Sequence, residues 1–176
     1  LTFVGFIVAP IAAMPLGMEA LTNSILWYCL AAALVLWAAG LKPLLTGTAP
    51  APLRPLQVIH LAPAALVGTA AHLAGIPALG NALALWAVLL FVLLVFRARW
   101  LTVAGFSGFW SAFTFPLAAL AGVLFLSAES LPSEIVRTVA GLVLIVATLV
   151  IPPIAFKVMQ LWSRGTLAQK TNAATA

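Results

Sequence analysis

Six apolar stretches follow one another along this 176-residue chain, at about 2–18, 24–41, 57–75, 80–98, 102–127 and 133–162. Each is long enough to cross the ~30 Å hydrocarbon core of a bilayer at ~1.5 Å of helix rise per residue. Hydrocarbon offers no partner to a backbone N–H or C=O, so a spanning segment must be a helix or a strand of a closed barrel. Barrel strands alternate apolar and polar residues in short segments, and these stretches do not. The sequence therefore predicts an all-α integral membrane protein with six transmembrane helices, a membrane domain over 1–163 and a short polar tail over 164–176. Composition agrees: 65% of residues are apolar and 6% charged, against about 45–50% and about 25% in soluble domains. Soluble globular, disordered and coiled-coil classes are excluded by the same numbers. Apolar sequence begins at once from Leu1, with no initiating Met and no basic leader, and reads as the interior of a longer protein rather than as a signal peptide.

The connections carry turn and cap signals. Glu19 to Asn23 separates the first two stretches, and Lys42 to Pro55, with four prolines, reads as a long loop. Gly75-Ile76-Pro77 breaks the third from the fourth, and Ser133 after Pro132 is placed to cap the sixth, with Glu134 favourable to its dipole. Eight Lys and Arg against three acids give a net charge of +5. In a soluble chain this would point to nucleic acid; here the basic residues sit at span ends, and topology explains them. Lys42, Arg54, Arg97, Arg99, Arg164 and Lys170 fall on one side, and Glu19, Glu129, Glu134 and Arg137 on the other. The positive-inside rule then makes the long loop, the Arg97/Arg99 turn and the C-terminal tail cytoplasmic; a bacterial inner membrane is the expected location. No nucleic-acid partner is expected; the lipid bilayer is.

Prolines divide the spans. The first, third and fifth carry Pro10 and Pro15, Pro63, and Pro116 in their interiors, whereas the second and fourth carry none and the sixth has Pro152-Pro153 near its cytoplasmic end. A proline inside a helix deletes one hydrogen bond and bends the axis, here freeing the carbonyls of Phe6, Ile11, Ile59 and Ala112. Odd spans are therefore expected to form a bent inner set lining a pathway, with even spans facing lipid. On the fifth span, Gly108, Ser111, Ala112, Phe115, Ala118, Ala119 and Gly122 fall along one stripe at helical spacing, and Phe106, Phe109, Trp110, Phe113 and Leu117 on another face. A small-residue stripe either packs closely on a neighbouring helix or lines a narrow conduit that Phe115 obstructs.

Other chemistry finds little support. Gly105-Phe106-Ser107-Gly108 matches the serine motif of intramembrane rhomboid proteases, but no histidine follows Ser107 to accept its proton, so no enzyme is expected. Cys29 is the single cysteine, and His60 and His72 lie about 120° apart on a helix; neither a metal nor a cofactor is expected. His60, near the cytoplasmic start of the third span, is either an interfacial side chain bonded to backbone or a titrating group at a pore mouth.

The run Phe109-Trp110-Ser111-Ala112-Phe113-Thr114-Phe115-Pro116-Leu117-Ala118-Ala119-Leu120 closely resembles the ninth helix of the tellurite-resistance/dicarboxylate transporter family (TehA-like), whose superfamily includes the plant slow-type anion channels. Leu53-Arg54-Pro55 followed by Ile59-His60-Leu61-Ala62-Pro63 is similar to the start of that family's seventh helix. The resemblance implies helices five to ten of a ten-helix fold, five hairpins around a central pore with odd helices inside, assembled as a homotrimer. It implies transport of small inorganic or carboxylate anions through a pore occluded by a phenylalanine, which matches Phe115, with Phe113 as second choice. A proton-coupled C4-dicarboxylate carrier or a sulfite/tellurite exporter, with His60 titrating, is the alternative within transport. A non-transporting membrane subunit is the alternative of another class.

Overall fold

The computed structural model describes residues 5–167. Among them every regular element is helical: α1 (Val8–Ala13) with a 3-10 turn (Met14–Leu16), α2 (Glu19–Thr46), a 3-10 stretch (Ala51–His60) leading into α3 (Leu61–Leu73), α4 (Pro77–Phe96), the short α5 (Ala98–Leu101), a second 3-10 stretch (Gly108–Phe113) leading into α6 (Thr114–Ser130), and α7 (Glu134–Ser163). Five segments are long and apolar enough to cross a membrane: Glu19–Thr46, Ala51–Leu73, Pro77–Phe96, Gly108–Ser130 and Glu134–Ser163. The first expected span is not among them. Its residues 1–4 lie outside the described residues, and the remainder is the six-residue α1 and a 3-10 turn closed by Gly17 at φ 70°.

Three boundaries differ from expectation for physical reasons. The second span extends from 24–41 to Glu19–Thr46, because Glu19 is favourable in the first turn and the helix tolerates Pro43 inside it. The second span is therefore not free of proline, and the expected loop from Lys42 to Pro55 shrinks to residues 47–50. The fifth span starts late. Gly105 has φ 77° and Ser107 is extended, so no helix begins between Thr102 and Ser107, although that segment is apolar enough to continue the span. At α7 the Ser133 hydroxyl accepts the Val136 N–H at 3.5 Å, as the cap signal indicated.

The odd-span prolines do not kink running α-helices. Pro10, Pro63 and Pro116 each occupy the third residue of an α segment, where the backbone N–H would lack an intrahelical partner in any case. Pro63 and Pro116 thereby mark joints between a 3-10 stretch and an α-helix, and the ten-residue length of the first stretch is unusual for 3-10 structure. Carbonyls expected to be free are taken up by tightened turns: Phe6 C=O accepts the Ala9 N–H at 2.9 Å, and Ile59 C=O is reached by the Leu61 N–H.

Helices pair as hairpins, α1 with α2, α3 with α4 and α6 with α7, and α3 lies at the centre against α1, α2, α4 and α6. Burial agrees: 56% of the apolar window of Ala51–Leu73 is buried, against 22% in both α2 and α7. The α3–α4–α6 crossing is close because Gly68 has no side chain. A Cβ there would lie 2.9 Å from Val123 Cγ2 and 3.3 Å from Leu83 Cβ, so the small residue sets the interhelical distance. The two ends of the bundle differ in charge. The end bearing Glu19, Glu129 and Glu134 holds all three acids, while Lys42, Arg54, Arg97 and Arg99 sit at the other.

Candidate functional site

A groove of about 460 Å³ opens on one side of the bundle. Its wall is contributed by Gly5 and Val8 from the first stretch, Leu56, Ile59, Pro63 and Leu66 from the third, and Ser111, Ala112, Phe115 and Pro116 from the fifth. No residue of the second, fourth or sixth span takes part. The joints explain this selection: Pro63 and Pro116 lie at the start of α3 and α6, and the 3-10 stretches before them carry Leu56 and Ile59, and Ser111 and Ala112, onto the same surface. The lining contains no charged side chain.

Phe115 is the large ring on this wall and is 53% exposed. Ser111, Phe115, Ala118 and Gly122 form an exposed line along the fifth span. At Gly122 a Cβ would meet no atom within 4 Å, the reverse of Gly68. Those small residues therefore do not serve helix packing within the described residues. The expected stripe is only partly realised, because the 3-10 stretch shifts the phase: Gly108 and Ala112 are buried, and Ala119 is half-buried against the core. Phe113 points elsewhere, into a cavity of about 230 Å³ with Val58, Leu61, Leu94 and Val150. Its ring continues a ladder in which Phe106 and Trp110 are 5.3 Å apart and Trp110 and Phe113 5.6 Å.

Pro10 is buried in α1, and Pro15 lies in the turn Met14–Leu16. His60 turns away from the groove. Its imidazole lies over Gly40 of α2, where a Cβ would come 2.5 Å from Cε1, and its carbonyl accepts the Trp37 indole N–H at 3.0 Å. This placement puts His60 at the α2–α3 interface rather than at the groove mouth. Ser107 is extended, and its carbonyl accepts the Trp110 N–H at 3.1 Å.

Sequence reasoning missed a polar cluster at the acidic end. His72 Nε2 lies 3.1 Å from Ser127 Oγ, and Ser130 Oγ donates to Asn81 Oδ1 at 3.0 Å. Ser127 is 3% exposed and borders an apolar cleft of about 490 Å³ between α4, α6 and α7. These partners are 55 and 49 positions apart, and no local pattern announces such pairs. Among the described residues no group of His, Cys, Asp and Glu could hold a metal ion.

Five apolar, membrane-length segments among the described residues, with α3 of one of them at the centre, place the chain among all-helical integral membrane proteins. No family model matches the chain, and neither a curated protein nor a solved structure shows significant similarity to it.

Proposed function

We propose that the chain forms the inner wall of a transmembrane anion pathway, as a channel or carrier of the tellurite-resistance/dicarboxylate transporter type, with Phe115 as its gate. The observation that carries the reading is the groove, built only from the proline-bearing first, third and fifth stretches and lined by one exposed aromatic ring. An uncharged wall suits throughput, since a strong buried positive site would hold an anion rather than pass it. The Phe109–Leu120 resemblance supplies the choice of anions and the trimeric assembly. The test is flux in proteoliposomes of the intact protein with chloride, nitrate, sulfite, malate and tellurite in turn; a protein that folds and passes none of them is a non-transporting subunit instead.

Orientation is set by the charge asymmetry, with the Arg97/Arg99 end cytoplasmic. Cysteines placed at Arg99 and Thr171 are expected to be shielded from an impermeant thiol reagent outside intact cells, and one at Ser130 to react. The native Cys29 is fully buried and adds little background. Labelling of the opposite sidedness reverses the topology.

The joint at Pro63 gives a further test. Pro63→Ala restores a backbone N–H that can bond the Ile59 carbonyl, so α geometry can extend back into the end of Ala51–His60 as far as Pro55 permits, shortening the stretch by ~0.5 Å for each residue converted from ~2.0 to ~1.5 Å of rise. Leu56 and Ile59 would then leave the groove wall. The expected result is retained yield, a stability change within about 1 kcal/mol, and altered flux per molecule; unchanged flux makes the joint a tolerated packing feature.

A further inference from the structure

The Arg-rich end of the bundle holds two guanidinium groups against one indole. Arg54 Cζ lies 4.7 Å from the centroid of a Trp100 ring and Arg97 Cζ 5.7 Å from it. Arg54 comes from the 3-10 stretch before α3, Arg97 from the cap between α4 and α5, and Trp100 from α5. All three are half-buried. Arg54 Nε donates to the Ala49 carbonyl at 3.0 Å, and an Arg97 terminal nitrogen donates to the Leu45 carbonyl at 2.9 Å. Each guanidinium thus commits one of its five N–H donors to a backbone carbonyl. Cation–π contact fixes the planes but does not neutralise the charge. The ion pair found among the described residues, Arg137 with Glu134 at 3.7 Å, is at the other end of the bundle, where all three acids lie. Two like charges therefore share one indole, partly desolvated, with donors to spare and no carboxylate beside them among the described residues.

We propose that Arg54 and Arg97, braced on Trp100, form a binding site for a phosphate group at the membrane rim. Guanidinium forks match phosphate oxygens bidentately, and basic pockets between the ends of membrane helices suit anionic headgroups. A bound phosphate supplies the missing counter-charge and ties the 47–50 connection, the start of the third span and the end of α4 to one another. The site stands apart from the uncharged groove and does not depend on the transport reading.

The test measures binding to the intact protein in neutral detergent, by thermal shift, with three probes: short-chain phosphatidylglycerol, short-chain phosphatidylcholine and inorganic phosphate at matched ionic strength. The expected result is stabilisation by phosphatidylglycerol and not by phosphatidylcholine. Loss of one charge-assisted contact in Arg54→Gln or Arg97→Gln should weaken the apparent affinity at least about tenfold. Arg99→Gln, at an exposed neighbour that does not stack on Trp100, should leave it unchanged. Stabilisation by the lipid alone assigns the site to a headgroup, and equal stabilisation by inorganic phosphate assigns it to the free anion. The proposal is overturned if neither probe stabilises the protein. It also fails if the effect survives in folded Arg54→Gln and Arg97→Gln proteins, or falls equally in Arg99→Gln.

Discussion

Phe115→Ala is expected to raise anion flux per folded molecule while leaving yield nearly intact, and Phe113→Ala to do the opposite. The two rings are two positions apart, but the structure gives them different surroundings. Phe115 is 53% exposed on a groove wall of small and aliphatic groups, so truncating it removes an obstacle and little packing. Phe113 is half-buried, closes a ladder of rings and lines a separate cleft with Val58 and Leu61. Its loss costs part of the about 3–5 kcal/mol of a fully buried Phe→Ala change, because the ring is half-buried against the core. If the Phe115 ring contributes even ~1.4 kcal/mol to the barrier, its removal gives a tenfold gain. Flux and folded yield must be measured together for both variants. Loss of yield without gained flux in Phe115→Ala rejects it as the gate, and a gain confined to Phe113→Ala transfers the role to that residue.

Features that depend on composition and local spacing were legible in the sequence. Helical membrane segments are dictated by apolar runs that leave no other way to satisfy the backbone, and the separation of acids from bases is written directly in the loops. The Ser133 cap was also readable, because a cap is a local event. Joints were not. Hydropathy cannot distinguish residues 102–107 from a helix, although Gly105 at a positive φ and an extended Ser107 delay the span to Gly108. The prolines were legible as irregularities but not as third residues of α segments, because that depends on where the 3-10 stretches stop. The same shift moved Gly108 and Ala112 off the exposed line that Phe115, Ala118 and Gly122 retain. Long-range pairs were invisible: nothing local joins His72 to Ser127, or brings Arg54 and Arg97 to Trp100.

Two glycines separate small residues that hold helices together from small residues that leave space. Gly68→Ala is expected to destabilise the protein by about 1–3 kcal/mol, the cost of overpacking a closed core. The new methyl would meet Val123 Cγ2 at 2.9 Å, Leu83 Cβ at 3.3 Å and the Gly80 carbonyl oxygen at 3.4 Å. The first neighbour can rotate; the other two belong to the frame of α4 and cannot. At roughly 2–4 °C per kcal/mol for a chain of this size, a melting experiment in detergent resolves the loss. Gly122→Ala lies in the α6 interior with nothing within 4 Å of its new Cβ. It is expected to be neutral or to stabilise by up to about 1 kcal/mol, the ordinary helix preference of Ala over Gly. Gly122→Leu should then fold normally and reduce flux by filling the space beyond Phe115. If Gly122→Ala instead destabilises as much as Gly68→Ala, another segment or subunit covers the line from Ser111 to Gly122. In that event the exposed small residues are a packing surface, and the pathway assigned to them must lie elsewhere.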